Sequence, residues 1–178
     1  MNRSKALRAI IILALLALNI GCDQASKAIA RHKLDYYDYY TYFHRHISFE
    51  RVENTGAFLS LGETLTGAPK FIILNILPLL VLGFGLVYIL IKPEIDNTNL
   101  FGIILIVGGG FGNLYDRMVH GSVTDFMHIN FGLFETGIFN VADMSIMAGM
   151  FVVLIHTFLK KEKEKHEEKL PVDGVSNT

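Results

Sequence analysis

One cysteine, Cys22, stands in 178 residues, so no intramolecular disulfide can form. A zinc ribbon, which needs several thiolates from one chain, is excluded on the same ground. Charge is scarce: 19% of residues are charged and the net charge is −1. That removes the electrostatic footprint expected of a nucleic-acid-binding chain. No H-E-x-x-H occurs, and His44, His46, His120 and His128 read as ordinary surface or loop residues, not metal ligands. No internal repeat is evident.

Apolar residues are what the chain has in quantity. They make up 51% of it, and mean hydropathy is +0.39, which excludes disordered and collagen-like chains and points away from a soluble domain. A membrane helix needs about 20 apolar residues, so the chain has room for about four spans and one modest loop. Four apolar segments stand out: Ala9–Ile20, Phe71–Ile91, Leu100–Leu114 and Phe139–Leu159. The second contains Pro78, tolerable in a membrane helix whose neighbours satisfy the freed carbonyl. The first and third are short, and lengthen into helices that cross if they carry the polar runs Asp23–Lys27 and Asn113–Arg117 with them.

Lys and Arg set the orientation. With the N-terminus inside, the inner segments hold Arg3, Lys5, Arg8, Lys92, Lys160, Lys161, Lys163, Lys165 and Lys169. The outer segments hold Lys27, Arg31, Lys33, Arg45, Arg51, Lys70 and Arg117. The excess lies at the chain ends, so both termini read as cytoplasmic. The reading is therefore one four-span domain over residues 1–160, with an extracytoplasmic loop at about 31–66. The charged tail at 161–178 reads as a solvated helix end, within the run KKEKEKHEEK, that then frays into disorder. In the loop, His46–Val52 (HISFERV) alternates apolar and polar residues and predicts a strand, punctuated afterwards by Gly56 and Gly62.

The start of the chain resembles a lipoprotein signal peptide: basic residues, a short apolar run, then Gly21-Cys22. Asn19, three residues before Cys22, stands where such a site prefers an apolar residue, and three further apolar segments follow. The segment is read as retained, with Cys22 a buried small hydrophobe.

Four spans with both ends inside bring a set of unusual polar residues to one membrane face. They are Asp23, Gln24, Ser26 and Lys27; Asn54; Asn113, Asp116 and Arg117; Asp125; and Asn140 and Asp143. Ionisable groups near membrane depth are costly and mark function by default, although interface solvation explains any single one. Asp143 lies four residues into the last segment, about 6 Å down the helix. Asn140 shares its face and also suits a helix cap. Asp125 sits among apolar neighbours in Ser122–Phe126. If it meets Asp143, the two cannot both ionise, and a pair sharing one proton can act as base and acid on water. Ion transport and structural roles remain alternatives at this point. The glycines Gly108, Gly109, Gly110 and Gly112 suit close helix packing. Asp116 beside Arg117 reads as a simple ion pair, or Arg117 holds a carbonyl or phosphate.

Five runs, DQASK (Asp23–Lys27), NTGA (Asn54–Ala57), GGGFGNLYDR (Gly108–Arg117), GSVTDF (Gly121–Phe126) and FNVAD (Phe139–Asp143), together resemble the lipoprotein signal peptidase (bacterial signal peptidase II) family in order and spacing. The resemblance implies a mainly α integral membrane fold of four transmembrane helices with a small extracytoplasmic β-layer and a short outer helix. The stretch near Ile47 and the connector 115–138 are candidates for those outer pieces. It implies an aspartyl endopeptidase of the bacterial inner membrane with its active site at the outer face. The enzyme would cut prolipoproteins just before a diacylglyceryl-modified cysteine. Asp125 and Asp143 would be catalytic. Asn54, Gly56, Asn113, Asp116, Arg117 and Asn140 would bind substrate or line the site. Asp23, Gln24, Lys27, Gly108 and Gly112 would support it. No metal or organic cofactor is implied. The partners would be the prolipoprotein and membrane lipid, not nucleic acid, with the chain acting as a monomer. Three places depart from the family's usual pattern: Phe58-Leu59-Ser60, Gly110-Phe111 and Met144-Ser145. They bear on the substrate groove. A small transporter and a membrane interaction module are the competing classes. A transporter is expected to place its polar residues at the midplane with repeat symmetry, which this sequence lacks.

Overall fold

A computed structural model describes residues 3–57 and 64–168. Helix α1 (Arg3–Lys33) is followed by strands β1 (Tyr40–Tyr42) and β2 (Ile47–Asn54). Helix α2 (Gly67–Phe71) runs through a π-helical stretch, Ile72–Ile76, into α3 (Leu77–Ile91). Helix α4 (Asn97–His120), strand β3 (Val123–Ile129) and helix α5 (Val141–Glu168) complete the chain. Four helical stretches, Arg3–Lys33, Gly67–Ile91, Asn97–His120 and Val141–Lys163, are long and apolar enough to cross a membrane. Their apolar surface faces outward, as lipid permits: Leu13, Leu18, Val81, Phe84, Phe151 and Leu154 are all exposed. Ile12, Leu16, Ile89, Ile104 and Val107 form the apolar core between α1, α3 and α4.

The short first and third segments lengthen as anticipated, for a reason the apolar pattern did not contain. Asp23 and Lys27, and Asn113 and Asp116, continue their helices because they face protein rather than lipid. Asp96 caps α4, accepting from Asn99 N at 2.9 Å, and Gly121, with φ 78°, ends it in the left-handed conformation that favours glycine. Arg8 ties the far end of α3 by donating to the Ile89 and Lys92 carbonyls at 3.0 and 2.9 Å.

Two sequence expectations change. Cys22 is exposed on the outside of α1, because the inward face at that level is taken by Asp23. The connector supplies no helix of its own: Tyr115–His120 is the end of α4, Val123–Ile129 is strand β3, and 130–138 is loop held by isolated bridges. The charged run after Leu159 continues α5 as helix through Glu168, the helix end read from the sequence. Residues 169–178, Phe58-Leu59-Ser60 and Gly62 lie outside the described residues.

The sheet is antiparallel, in the order β1-β2-β3. Val52 pairs with Asp125 and Asn54 with Val123, with a register irregularity between Phe49 and Val52. The strand foreseen at His46–Val52 is thus β2, and it carries Asn54 to the strand that holds Asp125.

Small residues set the helix crossings. A side chain at Gly149 would strike the Gly102 carbonyl at 2.5 Å and Ile106, and one at Gly109 would strike the Ala142 carbonyl. Gly149→Ala is therefore expected to destabilise the α4–α5 contact by about 1–3 kcal/mol through overpacking. The check is thermal unfolding of the purified protein in detergent; an unchanged melting temperature would show that the crossing has slack.

Candidate active site

Helix α5 begins with a reciprocal cap. The Asn140 side-chain oxygen accepts from Asp143 N at 3.0 Å, and the Asp143 Oδ2 accepts from Asn140 N at 3.2 Å. Each satisfies a backbone donor that the first helical turn leaves free. Asn140 therefore caps the helix, as its position suggested, but its amide does more. The same side chain donates from Nδ2 to Asp125 Oδ1 at 2.6 Å and to Asn113 Oδ1 at 3.1 Å. One buried asparagine thus joins the carboxylate on β3 to the carboxylate on α5.

Both carboxylates have both oxygens held. Asp125 Oδ2 accepts from Asn54 Nδ2 at 3.1 Å, across the β2–β3 pair. Asp143 Oδ1 accepts from Asn113 Nδ2 at 2.8 Å. Burial pushes Asp125 up to about 6. The Asn54 hydrogen bond opposes this, and the Asp143 charge adds to it.

Arg117 does not pair with Asp116. Adjacent residues on a helix point about 100° apart. The Arg117 guanidinium donates to the Gly56 carbonyl from Nη2 at 2.7 Å and from Nε at 3.2 Å. Asn54 Oδ1 accepts from Gly56 N at 2.9 Å, so this turn is held from both sides. Asp116 points the other way, is fully buried, and meets Lys27 at 3.0 Å. It supports the site from behind and does not line the cavity. Asp23 is likewise buried against Lys27 at 2.8 Å, and Gln24 donates to the Gly112 carbonyl at 3.1 Å. Gly108 and Gly112 give α1 its approach: added side chains there would meet Asn19 and Asp23 at 2.5 Å.

Asn54, Asn113, Arg117, Asp125 and Asp143 share one cavity of about 660 Å³. Apart from Thr136 its other walls carry no polar side chain, with Val81 and Leu82 from α3, Gly110 from α4, and Met144, Met147 and Met150 from α5. Two of the departing positions, Gly110 and Met144, therefore line this slot. Among the described residues no cluster of three or more His, Cys, Asp or Glu could hold a metal ion.

The chain matches the family described as Signal peptidase (SPase) II over residues 15–159. The chain belongs to the signal peptidase II family. Its relatives include the lipoprotein signal peptidase of Helicobacter pylori (strain Shi470), 30% identical over 155 residues, covering 87% of this chain and 91% of that one. That of Borrelia duttonii (strain Ly) is 32% identical over 131 residues, covering 71% and 76%. A structure described as a bacterial membrane enzyme solved in meso at 2.3 Å resolution shares the fold. It has TM-score 0.75 and 22% identity, with 90% of this chain and 94% of that one covered. A second, at 1.9 Å resolution, has TM-score 0.70 and 26% identity, with 83% and 92% covered. As a family member the chain is a membrane peptidase, its four apolar helices making it multi-pass.

Several site contacts were not read from the sequence. Asn19, read only as a poor cleavage-site residue, is bonded to Ser145 Oγ at 2.8 Å and to the Leu105 carbonyl at 3.3 Å. Helix α1 runs unbroken past Gly21-Cys22, and this contact ties it to α4 and α5. Arg31 reaches Thr124 Oγ1 at 3.0 Å, and Glu53 accepts from Ser122 at 2.7 Å and from Thr124 at 3.2 Å. A polar residue recurring on the inner face of α1 was the available signal for Asn19. Nothing local marked Arg31 or Glu53.

Proposed function

We propose that the chain is an aspartyl endopeptidase with Asp125 and Asp143 as its catalytic pair. It removes the signal peptide of a prolipoprotein just before the cysteine that carries a diacylglyceryl group. The observation that carries this reading is the pair of carboxylates bridged by Asn140 at the polar end of an otherwise apolar slot. Acyl chains can stay among Val81, Leu82, Met147 and Met150 while the scissile amide reaches the acids.

The chain sits in the bacterial inner membrane and acts as a monomer. An even number of spans puts both termini on one side, and the Lys and Arg excess at the chain ends makes that side the cytoplasm. The sheet and the acids then lie at the outer face.

Asp125 holds the shared proton, being the acid that burial favours as neutral. Ionised Asp143 takes a proton from water, whose oxygen bonds to the amide carbon. Asp125 gives its proton to the carbonyl oxygen. The tetrahedral intermediate collapses as Asp143 passes its proton to the leaving nitrogen and the C–N bond breaks. Asp125 regains its proton from the new hydroxyl, and the pair is reset. Asn113 and Asn140 hold the carboxylates, while Arg117 and Asn54 set the Gly56 turn against which the substrate backbone lies.

The test is cleavage by purified protein of a diacylglyceryl prolipopeptide beside its unlipidated twin, with product masses measured across pH. Cutting should occur just before the lipidated cysteine, and the unlipidated peptide should be a poor substrate. Catalysis needs the proton on Asp125, which ionises as pH rises through about 6. On the alkaline side kcat/KM should therefore fall ~10-fold per pH unit. Equal cleavage of both peptides would remove the lipid from the reading. A rate that rises with pH through this range would remove the protonated Asp125.

A further inference from the structure

Behind the two acids lies a second charged cluster that takes no part in the proposed reaction. The Lys27 ammonium has three hydrogens and three acceptors: Asp23 Oδ2 at 2.8 Å, Asp116 Oδ2 at 3.0 Å and Asn113 Oδ1 at 2.8 Å. Lys27, Asp23 and Asp116 are all at 0% exposure. Adhesion between α1 and α4 does not require this. Apolar side chains of similar volume commonly stabilise a buried contact as well as ions do, because removing charges from water is costly.

What the cluster does is reach each element that carries an acid. Asn113 Oδ1 faces two donors, Lys27 Nζ and Asn140 Nδ2, so the amide is locked with its Nδ2 towards Asp143. Asp23 Oδ1 accepts from Ala142 N at 2.8 Å, the residue before Asp143. Asp116 Oδ2 lies 3.4 Å from Thr124 N, the residue before Asp125. Arg31 spans the same place, 3.5 Å from Asp116 and hydrogen-bonded to Thr124.

We propose that Lys27 is a positioning residue for the acid pair, its ammonium holding α4, α5 and β3 in one register through Asn113, Asp23 and Asp116. This rests on the reading of Asp125 and Asp143 as the catalytic pair. Lys27 acts through other side chains and touches no substrate, since it is sealed from the cavity. It also acts by charge. The charged groups around it are Asp23 and Arg31 on α1, Asp116 and Arg117 on α4, Asp125 on β3, Asp143 on α5, and Glu53 on β2 through Thr124. Among these the Lys27 charge favours the ionised form of Asp125. Without it Asp125 keeps its proton to higher pH.

Lys27→Met alone strands two buried carboxylates, so the test uses charge-balanced pairs. Lys27→Met with Asp23→Asn keeps an oxygen for Ala142 N. Lys27→Met with Asp116→Asn keeps one for Thr124 N. Each pair is purified beside the wild type and assayed on the diacylglyceryl prolipopeptide for kcat, KM, pH profile and melting temperature. The expected result is a protein that melts within about 5 °C of wild type. Its kcat should be down about 100-fold, with KM changed less than about threefold. The alkaline limb should move to higher pH.

A folded pair with wild-type kcat and an unmoved limb overturns the proposal. So does failure of both pairs to accumulate as folded protein, which makes the cluster structural only. An inactive wild type is a different failure: it removes the peptidase reading itself, and the positioning role with it.

Discussion

Asp125→Asn and Asp143→Asn proteins will each process a diacylglyceryl prolipopeptide about 10³-fold more slowly than wild type, or worse, while remaining folded in detergent. The reasoning starts from the hydrogen bonds. All four carboxyl oxygens accept: Asp125 from Asn140 and Asn54, Asp143 from Asn113 and the Asn140 backbone. An asparagine keeps the shape but sets an N–H against one existing donor, costing about 1–3 kcal/mol of stability. That is a modest loss of fold. The chemical loss is larger, because an amide can neither take the proton from water nor cycle one through the carbonyl oxygen. Single-turnover cleavage and thermal unfolding on the same preparation separate the two effects. If either variant cleaves within tenfold of wild type, that residue has no place in the reaction.

Asn140→Ala has the second-largest expected effect, and it combines two losses. The helix cap disappears, at about 1 kcal/mol. The bridge between the acids disappears too, because Nδ2 serves both Asp125 and Asn113. In the proposed reaction, removing a donor aimed at the acid pair is expected to lower kcat by about 100-fold or more. Asn140→Ser divides the two roles. Serine caps a helix about as well as asparagine, yet its single hydroxyl cannot reach back to Asp143 N and also bridge Asp125 and Asn113. Melting temperature should recover in Asn140→Ser and kcat should not. Recovery of both would make Asn140 a cap alone, and recovery of neither would point to general misfolding of the α5 start.

Much of the architecture was readable from the chain. Hydropathy is a local property, so four apolar segments stood out, two of them long enough to cross only with the polar runs that follow, and alternation marked β2. The five motifs placed Asp125, Asp143 and their asparagines in one family pattern. Partner choice was not readable. For Asp116 and Arg117 the sequence left two readings open, an ion pair or Arg117 on a carbonyl or phosphate, and helix geometry chose the second, sending Asp116 to Lys27 and Arg117 to the Gly56 carbonyl. Cys22 looked like a core residue, but Asp23 holds the inward face. The connector was a candidate for the outer pieces, and pairing with β2 made part of it a strand.

The sequence by itself determined that this chain crosses a membrane four times and which family it resembles, because burial in lipid is written in runs of adjacent residues. Only the tertiary structure decided that Asn140 joins the two acids, and that Lys27 is sealed behind them with its hydrogens all taken. The longer of those contacts join residues from 15 to 89 positions apart (Asp125 to Asn140, Lys27 to Asp116). Whether such groups meet depends on how helices cross and strands register, which no local pattern encodes.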